Sequence, residues 1–546
     1  MSGVDAKVDV IIQFKVSPTD HQHSKIRTLG GKLNADLGAT VKGGAYSLPR
    51  AALKVLAADP EISYITPDRP VHGLLEFANP TVNAQIARSY GFDGTGVGIA
   101  MIDSGVDPQA DLRTLPDSTG DDFGSRIIKS KSFVPNTTSA MDDYGHGTHV
   151  AGILAGDGFR SDMPGTVVHF VGIAPNAMLV NYRVLDANGA GTDSAVIAAI
   201  QQAILDKDRY HIRVINLSLG RPVYESYSQD PLCQAVESAW RAGIVVVVAA
   251  GNEGRNNTAG TNGYGTITAP GNDPYVITVG AMKDNSTTYR SDDTVASYSS
   301  KGPTLIDHVV KPDLVAPGNR IVSIADSTST IYRASSVNLI NKSYYLPGSN
   351  GISKTYFKLS GTSMAAPMVS GAAALLLQKD PALTPDMIKA RLMKTSTKTF
   401  PSFSTVMDAG TTYTSQYDIF TVGAGYLDVW AALNSSDKGT GSTLSPTAYY
   451  DSVQNSVFLQ YTPDPSGQSA LWGSSALWGS SALWGSSVFV TTSNALWGSN
   501  ALWGSSALWG SSTTQAFSAL WGSNALWGST DATGGETMAQ AITGEN

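Results

Sequence analysis

Val97-Gly98-Ile99-Ala100-Met101-Ile102-Asp103-Ser104-Gly105 decides the fold of this chain. An unbroken apolar run stops at a carboxylate and a Ser-Gly turn, the pattern of a strand buried on both faces. The pattern returns in AMLVNYRVL (Ala177 to Leu185), RVINLSL (Arg213 to Leu219) and IVVVVAAGN (Ile244 to Asn252). Between these runs lie helical stretches such as Ser194 to Leu205 and Pro231 to Ala242. Strands alternating with helices predict an α/β fold with a mostly parallel sheet covered on both faces. In such a sheet, functional side chains collect beyond the carboxyl ends of the strands.

On the N-terminal side, residues 1 to 75 read as a small α+β unit. An alternating strand VDVIIQF (Val8 to Phe14) is followed by a helical stretch from Ser24 to Leu37, a strand near Ala45 to Leu48, a helix after Pro49, and the short strand ISYI ending before Pro67. Residues 76 to 435 carry the α/β pattern. From 436 to 546 the chain turns Ser-, Thr-, Gly- and Asn-rich and repeats ALWGS plus one residue, starting at Ala470, Ala476, Ala482, Ala495, Ala501, Ala507, Ala519 and Ala525. The period of six is even, so in a strand every Trp faces one side, whereas a helix scatters them. Strand stacking is expected for these repeats, with a flexible tail as the alternative.

The 546 residues, at about 100 to 200 per domain, allow several domains. A net charge of -8 provides no basic field for a phosphate backbone, so nucleic acid is not an expected partner. The longest apolar run, Ile244 to Ala250, is far short of the roughly 20 residues that cross a bilayer, so no transmembrane segment is expected. The single cysteine, Cys233, excludes an intrachain disulfide and reads as a small buried hydrophobe. The start, Met1-Ser2-Gly3-Val4-Asp5, has neither the basic nor the apolar region of a secretory signal.

Four segments supply complementary chemistry. Asp103 ends a strand; His146 lies between glycines in GHGTHVAG; Asn252 is presented in AAGNEG; Ser363 opens the small-residue helix of GTSMAAP. Singly, these read as a turn Asp, a structural His, a turn Asn and a helix-cap Ser. Together they are what a serine nucleophile needs: a base to take its proton, an acid to orient the base, and donors for an oxyanion. The helix N-terminus at Ser363 adds free N–H groups and a positive dipole end. The order Asp, His, Ser is one of the known orders for this chemistry. His146 and His149 do not form HExxH, which argues against a catalytic zinc.

Across residues 80 to 435 these segments resemble the subtilisin-like serine proteases, the subtilase family. NLSLG (Asn216 to Gly220), Val279-Gly280-Ala281, SSKGP (Ser299 to Pro303), KPDLVAPG (Lys311 to Gly318) and GAGYLD (Gly423 to Asp428) extend the resemblance. It implies a subtilisin-like three-layer fold and a serine endopeptidase in which Ser363 is the nucleophile, His146 the general base, Asp103 the orienting acid and Asn252 the oxyanion donor. His149 matches a noncatalytic histidine that packs in its helix. Gly189-Ala190-Gly191 and Ser218-Leu219-Gly220 match the two edges between which an extended protein or peptide substrate adds as a strand. Thr268 falls at the base of the S1 pocket, which disfavours a very large P1 side chain, and Asp193 falls in S4, which favours a basic or polar P4.

Residues 1 to 75, through GGAYSLP and ISYITPDRPV, resemble the family's ferredoxin-like propeptide, an intramolecular inhibitor and folding chaperone. The resemblance implies self-cleavage by Ser363 between His72 and Asn83, and a secreted protein whose signal peptide is absent from this sequence. No cofactor is required for the chemistry. A structural calcium is expected only if Asp111, Asp157 and Asp162 assemble, and solvated loop acids are the alternative. A different class of function is a surface- or matrix-binding tail of Trp repeats, with the peptidase serving its release. A catalytically dead homologue is disfavoured because all four residue types are present.

Overall fold

The computed structural model describes residues 7–67, 77–113, 124–258, 260–408, 410–436, 442–451, 456–460, 488–491 and 544–545. The ALWGS repeats lie outside them. The chain divides into two compact units, Met1–Gly73 and Leu74–Asn546.

In the first unit, strands β1 (Lys7–Phe14), β2 (Lys32–Leu37), β3 (Gly43–Pro49) and β4 (Ile62–Pro67) form an antiparallel sheet in the order β2-β3-β1-β4. Helices α1 (Asp20–Thr28) and α2 (Ala52–Ala57) follow β1 and β3. Val10, Ile12 and Phe14 of β1 bury one face against Ile26 and Leu56 of the helices. The expected helix from Ser24 to Leu37 is corrected: α1 spans Asp20–Thr28, capped by the Thr19 side chain, and residues 32–37 are a strand. Gly30, at φ +83°, turns the chain out of the helix. Gly31 lies so close to Ile26 that a Cβ there would meet its carbonyl at 2.9 Å, which forbids a continuous helix through this pair.

Among the described residues, the main sheet of the second unit holds seven parallel strands. These are β5 (Gly98–Asp103), β6 (Ile127–Ser132), β7 (Met178–Arg183), β8 (Ile212–Leu217), β9 (Val245–Ala249), β10 (Ile277–Lys283) and β11 (Leu314–Pro317), ordered β6-β7-β5-β8-β9-β10-β11. A short antiparallel strand, Thr294–Val295, pairs with β10. Helices α3 (His146–Ala155) and α6 (Thr362–Lys379) are buried along almost their whole length. Helices α4 (Asp193–Asp206) and α5 (Pro231–Arg241) each bury one face. β9 is buried at all five positions, which is why it reads as a run of valines; each such side chain contributes about 1.5–3 kcal/mol of burial. After β5 the chain builds β6 and β7 on one side and β8 onward on the other. The carboxyl ends of β5 and β8 therefore flank a topological switch point, where α/β sheets open a crevice.

Two polar staples join distant parts of this unit. Asp428 accepts from Asn83 Nδ2 at 2.9 Å and Arg290 Nη1 at 2.8 Å, while the Val429 N–H bonds the Val82 carbonyl at 2.9 Å. Asp313, fully buried, is met by Lys311 at 2.7 Å, Lys389 at 3.2 Å and the Ser445 hydroxyl at 2.6 Å. Burial pushes the Asp313 carboxyl up, and the two lysines more than reverse it, leaving its pKa below the usual carboxylate range. Because Ser445 belongs to this cluster, and Val310 and Ala448 donate to Pro446 and His308, packed chain continues beyond residue 436.

Candidate active site

Every side chain of the site sits where a strand ends or a helix begins. Asp103 closes β5, Ser218 and Asn252 lie just beyond β8 and β9, and His146 and Ser363 open α3 and α6. Gly145 takes φ +99° ahead of α3, and a Cβ on Gly147 would strike the Gly105 carbonyl. These two glycines let the helix start against the end of β5. His146 Nδ1 then lies 2.7 Å from Asp103 Oδ1, which also accepts the Ser104 N–H at 2.7 Å. Burial lowers the imidazole pKa, but the charge of Asp103, its hydrogen bond and the charge of Asp142 more than compensate, so it stands above 6.5. With Nδ1 engaged by Asp103, Nε2 is the nitrogen left for proton transfer.

Asp142 was not singled out by sequence reasoning. Its Oδ1 accepts from Ser104 Oγ and the Gly145 N–H, both at 2.7 Å, and its Oδ2 accepts from the Thr148 N–H at 2.7 Å. It thereby caps α3 and fixes the loop beside Asp103; burial outweighs these bonds and raises its carboxyl pKa. An Asp shortly before a helix start was the available signal.

Pro367 sits inside α6 and has no N–H. The Ser363 carbonyl, four residues earlier, therefore lacks its helical donor, and Ser218 Oγ donates to it at 2.9 Å. In return, Ser363 Oγ donates to the Ser218 carbonyl at 3.2 Å. Asn252 Oδ1 accepts from the Thr362 N–H at 2.9 Å and Thr362 Oγ1 at 3.2 Å, and Asn252 lines the cleft together with Ser363.

The cleft, about 430 Å³, brings together His146, Asn252 and Ser363 with Gly189, Gly191, Ser218, Leu219, Gly220 and Thr268. Ala190 is not in its wall: the Ala190 carbonyl accepts from the Asp186 N–H at 2.8 Å, and its own N–H donates to Asp186 Oδ1 at 3.0 Å. The two flanking glycines present the edge. Thr268 stands against Gly220 and Gly251, where a Cβ on either would touch it. Asp193 also lines the cleft, and its charge there is shared with an arginine. Arg221 Nε holds both Asp193 oxygens, at 3.0 and 2.9 Å, and Nη2 holds both Asp230 oxygens at 2.9 Å. No local motif announces this triplet, because its members are separated in sequence.

His149 is buried, bonds the Ile321 carbonyl at 3.1 Å, and has its pKa lowered to about 3 by burial, so it packs rather than reacts. Burial likewise pushes the Cys233 thiol up. The calcium expectation meets a different arrangement. Asp111 accepts from the Tyr356 hydroxyl and from the Arg160 N–H, and Asp162 pairs with His169 at 3.3 Å. The carbonyls of Asp111, Arg113 and Ala155 converge on the buried Arg126 guanidinium at 2.8, 2.9 and 2.6 Å, with Asp157 3.8 Å away. Oxygens already claimed by an internal cation do not fit a calcium ion at this place.

Comparison with known proteins gives this geometry its family. The subtilase family pattern matches residues 94–425. The chain belongs to the subtilase family. Serine protease AprX of Bacillus subtilis (strain 168) is 36% identical over 383 residues, 69% of this chain and 77% of the relative. Subtilisin E of the same strain is 34% identical over 401 residues, covering 72% and 86%. The alkaline protease of Alkalihalobacillus alcalophilus is 33% identical over 345 residues, covering 63% and 70%. This subtilase is a serine endopeptidase, and its substrates are proteins. No helix among the described residues is long and apolar enough to cross a membrane.

Replacing Asp142 by Ala in the subtilase leaves the Ser104, Gly145 and Thr148 donors without their acceptor. In a Ser363→Ala background the variant is expected to lose about 2–4 kcal/mol of stability, read as a lower urea midpoint. An unchanged midpoint would remove the capping role.

Proposed function

We propose that Ser363, His146, Asp103 and Asn252 carry peptide hydrolysis as nucleophile, general base, orienting acid and oxyanion donor, and that the chain is made as a self-processing zymogen. The observation that carries this reading is the 2.7 Å contact of His146 Nδ1 with buried Asp103, in the cleft that also holds Ser363 and Asn252. Ser363 Oγ turns from the Ser218 carbonyl, gives its proton to His146 Nε2 and bonds the scissile carbonyl carbon. The carbonyl electron pair moves to oxygen, where Asn252 Nδ2 and the Ser363 N–H receive the oxyanion. The imidazolium, steadied by Asp103, protonates the leaving amine as the C–N bond breaks. Water then repeats the sequence on the acyl-enzyme and frees Ser363. An extended substrate lies between Gly189 and Gly191 on one side and Ser218 to Gly220 on the other.

The first unit acts as the propeptide. Two βαβ-like halves folded into one antiparallel sheet, in the order β2-β3-β1-β4, support a ferredoxin-like inhibitor and chaperone. Ala78 and Val82 are buried in the core of the second unit, so the cut falls before Ala78. Secretion follows from withholding activity until export.

The deciding experiment compares intact mass, N-terminal sequence and fluorophosphonate labelling of the wild-type chain and Ser363→Ala. Wild type is expected to lose its first unit and take one label, with the variant full length and unlabelled. Equal processing of both would overturn self-cleavage, and labelling of the variant would displace Ser363. Since Asp103 raises the His146 pKa, and only neutral imidazole accepts a proton, kcat/KM is expected to fall on acidification along a limb centred above pH 6.5. In Asp103→Asn that limb moves to lower pH; a limb that stays put would dissociate it from His146. Asn252→Leu is expected to lower kcat roughly 10² to 10³-fold, the size seen in a relative of this family, with KM little changed. A change confined to KM would contradict the oxyanion role.

A further inference from the structure

Glu545 lies far along the chain from the peptidase core, yet its side chain is fully buried in the second unit. A carboxylate removed from water needs donors, and three meet it: Arg255 Nη2 at 2.8 Å, the Ser297 N–H at 2.6 Å and Ser297 Oγ at 2.7 Å. Arg255 is itself fixed. Its Nε donates to Ser297 Oγ at 2.6 Å, its Nη1 to Asp408 at 2.7 Å, and its guanidinium lies 4.3 Å from the centre of the Tyr413 ring. Asn319 holds the main chain at two points, donating to the Glu545 carbonyl and accepting from its N–H, both at 3.0 Å. Before Glu545, the Cα of Gly544 comes so near Ser360, Arg320 and Asn319 that a Cβ would collide with all three. The socket selects a Gly-Glu step by size, charge and backbone.

Its walls are hydrogen-bonded to the two segments that carry Asn252 and Ser363. On one side Glu253 and Gly254, which follow Asn252, donate to Ser300 Oγ at 3.0 Å and to the Tyr298 carbonyl at 2.8 Å, so Ser297 to Ser300 carries the Asn252 loop. On the other, the Gly361 N–H bonds the Gly318 carbonyl and the Arg320 N–H bonds Ser360 Oγ, each at 2.8 Å, so Gly318 to Arg320 carries the approach to Ser363. Glu545 grips Arg255 and Ser297 with its side chain and Asn319 with its main chain.

We propose that Gly544-Glu545 is a C-terminal clasp: it occupies a built carboxylate socket and, by joining these two segments, sets the spacing between Asn252 Nδ2 and the Ser363 N–H. Glu545 is a positioning residue. The positioning half rests on the roles given above to Asn252 and Ser363; the docking half does not.

Docking is tested on the full-length Ser363→Ala chain with a carboxypeptidase, followed by intact mass. Free peptides of residues 538–546, with Glu545 or Ala at that position, give the undocked rates. Digestion is expected to remove Asn546 and then slow at Glu545 by about tenfold or more relative to the free peptide, as local opening becomes limiting. The Glu545→Ala chain should be trimmed at its own peptide's rate. Trimming of the Glu545 chain at the free-peptide rate, or an equal stall in Glu545→Ala, would overturn the socket. Positioning is tested by kinetics of active enzyme whose mass still includes residue 546. Glu545→Ala is expected to lower kcat about tenfold for a short peptide substrate at unchanged KM, while Glu545→Gln, which keeps one acceptor oxygen for the Ser297 N–H, retains more of it. Unchanged kcat in Glu545→Ala would overturn positioning even if docking holds. Failure of Ser363 to take a fluorophosphonate label in wild type would count against the catalytic reading and leave the carboxypeptidase result standing.

Discussion

A carboxylate that is 1% exposed, as Asp103 is, costs several kcal/mol unless donors meet it. One of its oxygens receives both the Ser104 N–H and His146, and the other has no hydrogen-bond partner among the described residues. That uneven satisfaction makes His146 more than a neighbour: the imidazole is the group against which the buried charge is balanced. The rest of the site follows from keeping it there. Gly147 allows the helix to approach, Asp142 ties its first turn to Ser104, and the switch in strand order opens the crevice in which Nε2 is reached.

Ser363 is anchored by a different compensation. A proline inside a helix ordinarily weakens it by leaving a carbonyl without its donor. Here the orphaned carbonyl belongs to Ser363, and the hydroxyl that bonds it belongs to Ser218, on the wall of the same cleft. Ser363 and that wall of the cleft are thus held together by two reciprocal hydrogen bonds, so a displacement of either is felt by both.

Residues that announce themselves in the sequence are those whose surroundings are contiguous. Asp103, His146, Asn252 and Ser363 each sit among glycines and small residues that permit close approach, and the alternation of valine-rich runs with helices showed the parallel sheet. What stayed hidden is chemistry assembled across distance. Arg221 meets Asp193 and Asp230, Arg126 fills a ring of carbonyls, and Ser445 enters the Asp313 cluster through contacts that no local spacing encodes. The expected helix over residues 24–37 fails for a local reason instead: at Gly30-Gly31 backbone conformation and crowding end α1. Ala190 shows a subtler limit, since a three-residue edge named as a block turns out to face the cleft through its glycines alone.

The staple at Asp428 joins partners 345 positions apart, Asn83 and Asp428, while the parallel strands between them are connected by crossovers and never by hairpins. Contacts of such separation form only after a large loop has been closed, and chains dominated by them fold slowly through exposed intermediates. The second unit therefore cannot lock the segment at Asn83 in place until most of its length has been synthesised. Its difficulty is one of search time rather than of final stability.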